Sequence, residues 1–181
     1  MAVAVAAPPE PELVWRARVE VLAPGDPKQP WHDAHDRGLS PLSADALVAG
    51  VALGARSAAD DVIATALDLG VVAVGIAGVP KDVPATDRVL ANHSLLHLAE
   101  GELYRAVLAD AAEAAGLPVV SIAPKDLGDD IEEHGAVLAE LRREHGAPWQ
   151  ADHKLATVVA WAALASVAPR PRTASRGQNR R

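Results

Sequence analysis

Histidine and carboxylate recur at helical spacing in one stretch of this chain. Within 92–116, His93, His97 and Glu100 stand at i, i+4 and i+7. At about 100° per residue that spacing confines them to roughly 60° of a helix surface. The same stripe runs on through Tyr104, Val107, Leu108 and Ala111, residues suited to a core. The face that should turn inward therefore begins polar and ends apolar. Two imidazoles and a carboxylate are costly to bury unless they are paired or coordinate something. Histidines four apart offer two nitrogens from one helix to a single divalent metal. The segment is not the HExxH signature, because Ser94 occupies the position of its glutamate.

Two further clusters carry the same residue types. Trp31-His32-Asp33-Ala34-His35-Asp36-Arg37 packs two His-Asp pairs into five residues. A histidine backed by a carboxylate is the arrangement found behind metal ligands, and it also serves acid/base chemistry. His32 and Asp36 are thus candidate ligands and His35 a candidate acid/base. The bland alternative is an exposed loop in which Asp33 or Asp36 caps a turn. The third cluster, Trp149-Gln150-Ala151-Asp152-His153-Lys154, opens the last helical segment. Asp152 suits an N-cap there. Its functional reading is that Asp152, His153 or Lys154 projects into the cleft of the 93–100 face, with Asp152 as the catalytic candidate.

Composition bounds the chemistry. The 181 residues contain no Cys, which removes disulfides, thiolate metal sites and a cysteine nucleophile. Half the chain is apolar, but Phe is absent and Trp occurs four times, so Ala, Val and Leu fill most of the core. Residues 170–181 hold five Arg and no acid, leaving 12 Lys and Arg against 24 Asp and Glu elsewhere. An acidic body argues against broad phosphate-backbone binding, yet carboxylates hold hard cations. There is no GxxxxGK[ST] phosphate loop, no GxGxxG and no GxSxG elbow. No apolar run approaches transmembrane length, and the opening stretch lacks the basic region of a signal peptide. A cytoplasmic protein is the expectation.

The elements that must position these residues read as α/β. Residues 1–11, rich in Ala and Pro, are expected to be disordered. Residues 13–22 alternate, with Val14, Arg16, Arg18 and Glu20 on one parity, as a half-buried strand does. Residues 24–40 read as a loop. Residues 43–69 are helical in period, with Ser43 as N-cap, a division at Gly54 and Gly70 as the stop. The β-branched run 71–77, the helix ending at Gly116 and the strand 118–122 make a βαβ unit with parallel strands. Residues 125–145 and 152–168 are helical. The expectation is one three-layer α/β domain over 12–168, a mostly parallel sheet of at least three strands with helices on both faces, and a basic disordered tail over 169–181.

This order of elements resembles the RNase H-like superfamily, its Holliday-junction resolvase branch included. The resemblance implies two divalent metals, usually Mg²⁺, held by carboxylates from the first strand, the centre of the domain and the last helix. Glu20 would stand for the first acid, where the family has Asp. Glu100 or Glu102 would supply the middle one and Asp152 the last. Two readings follow. The first is a metal-dependent hydrolase, a phosphoesterase or nuclease acting on nucleic acid or a phosphorylated small molecule. Its ion (Mg²⁺, Mn²⁺ or Zn²⁺) would be held by His93, His97, Glu100, His32 and Asp36, with Glu100, Asp152 and His35 catalytic. A histidine-rich set suits Zn²⁺ or Mn²⁺, and an all-carboxylate set Mg²⁺. The second reading is a non-enzymatic α/β module that works by association, with the last helix and Trp161 as a homodimer face and the Arg tail touching a partner.

Overall fold

The computed structural model describes residues 2–6, 12–19, 21–22 and 25–167. It holds, in chain order, β1 (Ala2–Val5), β2 (Leu13–Ala17), α1 (Pro30–Asp36), α2 (Pro41–Asp68), β3 (Val74–Ala77), α3 (Thr86–Leu90) and α4 (His93–Ala114). β4 (Val119–Ile122), a 3-10 turn (Pro124–Leu127), α5 (Gly128–Glu133), α6 (Gly135–His145) and α7 (Ala151–Val167) complete it.

The three-layer sheet domain is not what forms. Among the described residues the strands make two separate two-stranded sheets, and helix dominates. The βαβ unit is there: β3 and β4 pair in parallel, with Val74 opposite Val119 and Ala77 opposite Ile122, and α3 and α4 lie between them in the chain. The expected third parallel strand is different. β2 covers only the first half of the alternating run and pairs antiparallel with β1, which lies inside the segment expected to be disordered. Its polar parity has a structural use. Arg16 donates to the carbonyls of His145 at 2.5 Å and Pro148 at 2.9 Å, closing the end of α6. Such a strand is tied to a helix terminus and adds nothing to the parallel pair. The 169–181 tail and Glu20 lie outside the described residues.

The helical half packs α2 against α4, with α1 and α3 across one end. Ser40, not Ser43, caps α2, accepting from the Ser43 N–H. The helix passes Gly54 unbroken and stops where Gly70 takes a positive φ of 74°. Ala55, Ala59 and Ile63 of α2 meet Val107, Ala111 and Ala112 of α4, so small side chains let the two axes approach. At the other end Trp31 of α1 packs on Val48, Val89, Leu96 and Ala99.

In the second half α7 lies against β1, β3 and β4. Val158, Val159 and Trp161 join Leu13, Leu127, Leu138 and Leu141 in one core. Trp161, expected on a dimer face, is 9% exposed and lies 5.2 Å from the His134 ring. The approach of β3 to α7 depends on Gly75, where a Cβ would stand 2.5 Å from the Val159 carbonyl oxygen. No helix among the described residues is long and apolar enough to cross a membrane.

Candidate metal centre

The start of α4 is fixed by Asn92, whose side chain accepts from the N–H groups of Ser94 at 2.9 Å and Leu95 at 3.3 Å. That cap satisfies two of the free donors of the first turn. It also sets the helix phase that places His93 and His97 one turn apart. Both are exposed, and their Nε2 atoms stand 3.1 Å from each other.

The third imidazole comes from α1. The stretch expected to be a loop is a short helix that begins on buried Pro30, whose missing N–H costs nothing at a first helical position. Gly38, at φ 60°, ends the turn that follows. Buried Trp31 and Ala34 anchor α1 on the helical half, and His32 is left facing α4. Its ring centroid is 5.2 Å from that of His93 and 4.6 Å from that of His97. One nitrogen from each of the three rings falls within 4.8 Å of the others.

Glu100 stands behind this trio and does not belong to it. Its Oε1 accepts from the N–H of Trp31 at 2.7 Å, the N–H of His32 at 3.2 Å and His32 Nδ1–H at 3.4 Å. Because a carboxylate can only accept, the last contact puts the His32 proton on Nδ1 and leaves Nε2 with its lone pair. That Nε2 is buried and has no hydrogen-bond partner, and neither has Glu100 Oε2. Burial raises the Glu100 pKa above its ordinary 4.5, and the N–H donors of His32 and Trp31 pull against that rise. One turn on, the Tyr104 hydroxyl donates to the Lys28 carbonyl at 2.9 Å and ties α4 to the approach to α1. Burial, then the charges of Glu100 and Asp26, push the Tyr104 pKa up to about 12.

The remaining sequence candidates stand elsewhere. His35 spends Nδ1 on the Leu90 carbonyl at 2.8 Å, pinning α1 to α3. Asp36 is exposed and outside the trio, and Asp33 pairs with Arg37. Asp152 opens α7 and lines a cavity shared with β1 and β3. Its neighbour His153 is buried, accepts the Gln150 N–H at 3.1 Å on Nδ1 and stacks on Trp149. Burial, with the charge of Arg16 adding to it, lowers the His153 pKa. Glu102 is buried and paired with Arg105, a residue that sequence reasoning passed over. Its only signal was an Arg three residues after a Glu, a pattern common on solvated faces. Of the carboxylates tied to the RNase H-like resemblance, Glu100 carries His32, Glu102 carries Arg105 and Asp152 lies at the cavity.

The donor set fits a divalent ion. Tetrahedral zinc with Zn–N bonds of about 2.0–2.1 Å sets its nitrogens about 3.3 Å apart. The His93–His97 pair stands close to that distance at 3.1 Å, and the third nitrogen lies within 4.8 Å of both. Without an ion, one of the paired Nε2 atoms must carry a proton for the other, and His32 Nε2 stays unsatisfied, at a cost of about 1–3 kcal/mol. No family model, no curated protein and no solved structure matches the chain.

Proposed function

We propose that His32, His93 and His97 bind one divalent transition metal and that the protein is a metal-dependent hydrolase. The observation that carries the reading is the convergence of three imidazoles on one point, with the proton of His32 turned away from it by Glu100. Three neutral nitrogens favour Zn²⁺ or Mn²⁺ over Mg²⁺, which prefers oxygen. Three protein ligands leave a coordination position open, the form that catalytic zinc takes. Two of the three ligands are exposed, so water and a substrate can reach that position. There the ion would acidify a water and stabilise charge on the oxygen of a phosphoryl or acyl group. Glu100 would act as the orienting carboxylate, holding the His32 ring and raising its basicity.

The test is metal content and Zn²⁺-dependent melting of the full chain, wild type beside His97→Ala, followed by hydrolysis of p-nitrophenyl phosphate, bis(p-nitrophenyl) phosphate and p-nitrophenyl acetate. A stoichiometric ion, a rise in Tm lost in the variant, and turnover of one of these esters are expected. Wild type that takes up no ion overturns the reading of the site. Full metal loading without turnover of any ester overturns the hydrolase and leaves the metal.

A second reading, association between copies of the chain, is favoured by a different face. Leu42, Ala46, Ala49 and Leu53 fall at i, i+4, i+7 and i+11 on α2, and all four are exposed, Leu42 by 81% and Leu53 by 74%. Such a stripe is what a helix presents to a partner helix. A monomer in light scattering at working concentration, unchanged by Leu53→Glu, would remove this reading.

A further inference from the structure

A second site lies in the other half of the molecule. A cavity of about 380 Å³ opens between the two sheets and helices α2, α4 and α7, along the edge of β3 that does not face β4. That volume is in the range of small-molecule sites. Val3, Trp15, Ile63, Ile76, Leu108 and Leu155 give it an apolar wall, and its charged lining residues are Arg105 and Asp152 alone.

The two charges are not equivalent. Arg105 Nη2 is bound to buried Glu102, which offsets the guanidinium charge, while Arg105 Nε–H is buried and has no acceptor. The backbone is shaped around this side chain. A Cβ on Gly78 would come within 2.8 Å of Arg105 Cδ, and one on Gly101 within 2.9 Å of Nη2. Asp152 is exposed and has no ion pair or hydrogen bond among the described residues. The cavity therefore offers apolar walls and, at its rim, one carboxylate with no cation paired to it among the described residues.

We propose that this cavity binds a small apolar amine, the pattern of a hydrophobic α-amino acid amide. The hydrocarbon side chain fills the apolar space, and the ammonium sits at exposed Asp152 at its rim. The ligand's charge thus meets an opposite one instead of entering the apolar space unpaired. The site shares no residue with the histidine trio, so it stands or falls independently of the metal.

The experiment is calorimetric titration of the full chain with L-leucinamide, with 4-methylpentanamide (which lacks the ammonium) and glycinamide (which lacks the hydrocarbon) as controls. Saturable L-leucinamide binding is expected, with both controls weaker by about tenfold or more, the worth of a charge-assisted bond or of a buried side chain. Asp152→Asn, at an exposed position, should weaken L-leucinamide by a similar factor. Ala156→Leu, which fills the cavity, should abolish binding. Should Ala156→Leu fail to fold, Asp152→Asn decides alone. No saturable binding up to about 10 mM, an affinity floor near −3 kcal/mol, overturns the proposal. So does binding that Asp152→Asn leaves unchanged.

Discussion

Helices α4 and α7 both carry histidine in the first turn, and the structure treats the two starts in opposite ways. At α7, His153 is buried, its Nδ1 accepts a backbone N–H and its ring stacks on Trp149. At α4, His93 and His97 are exposed, and each presents Nε2 to the other and to His32. The first histidine is buried, with its Nδ1 satisfied by its own fold. The second group satisfies its nitrogens only in part and leaves His32 Nε2 without a partner. A histidine that the protein has already satisfied is a packing element. Histidines that converge on one another and leave a buried nitrogen without a partner are suited to a cation. The residue type is the same and both groups lie near a helix start, so the surroundings are what separate them.

The sharpest way to break this comparison is to remove a nitrogen from the α4 group. His97→Ala should lower Zn²⁺ affinity by at least about 100-fold, beyond what loss of an outer carboxylate does. At 100 times its Kd a bound ion stabilises by about 2.7 kcal/mol, roughly 5–10 °C in Tm for a chain of this size. The variant should lose that rise and keep its metal-free melting point within a degree or two. Next in size is Glu100→Gln, which leaves the trio intact and frees the His32 tautomer. Isothermal titration should show a loss of about 10–100-fold in metal affinity. An unchanged affinity would mean that Glu100 holds α1 and does nothing for the ion.

The α7 start can be challenged by pH. The His153 pKa is lowered by burial below its ordinary value of 6.5, so the unfolded chain binds the proton more readily than the folded one. The stability contributed by the neutral ring is present above about pH 6.5 and is lost as the pH falls below it, at up to about 1.4 kcal/mol per pH unit. Urea unfolding of chelated protein from pH 7.5 to 5 should show that slope, and His153→Gln should flatten it. The smallest effect is expected at His35. Its bond to the Leu90 carbonyl is exposed, so His35→Ala should cost about 1 kcal/mol or less and leave Zn²⁺ binding untouched. A loss of metal in that variant would extend the site beyond the trio.

What the sequence shows of this arrangement follows from what each residue depends on. The i, i+4 pair His93 and His97 is a local property of one helix and can be read directly. So can the βαβ order of β3, α4 and β4, because hydrophobic runs and Gly stops are local too. The burial of the 93–100 stripe is misjudged by sequence, since Leu96 and Ala99 are the residues that turn onto α1, α2 and α3 and so leave His93 and His97 exposed. The extent of the sheet is not legible either. The alternation over 13–22 gives a strand but not its partner, and pairing with β1 rather than β3 is decided by contacts far apart in the chain. Pro, Gly and charge in 24–40 read as a loop and hide a helix of seven residues. Propensity over so short a window is weaker than the anchoring of Trp31 and Ala34. Arg105 is invisible for the same reason, because its seat is made by Gly78 and Gly101 in space.

The histidines of the trio belong to two helices separated by about sixty residues of chain. An ion held by all three closes that span as a clip does, and the entropy removed from the unfolded chain grows with the logarithm of the loop. Helix α1 is seven residues long, and the N–H groups of Trp31 and His32 rest on Glu100 directly behind the trio. Trp31 lies inside it, next to His32 in the chain and with its N–H on Glu100. The protein thus carries its own optical gauge: the emission of one indole reports whether the latch between α1 and α4 is shut.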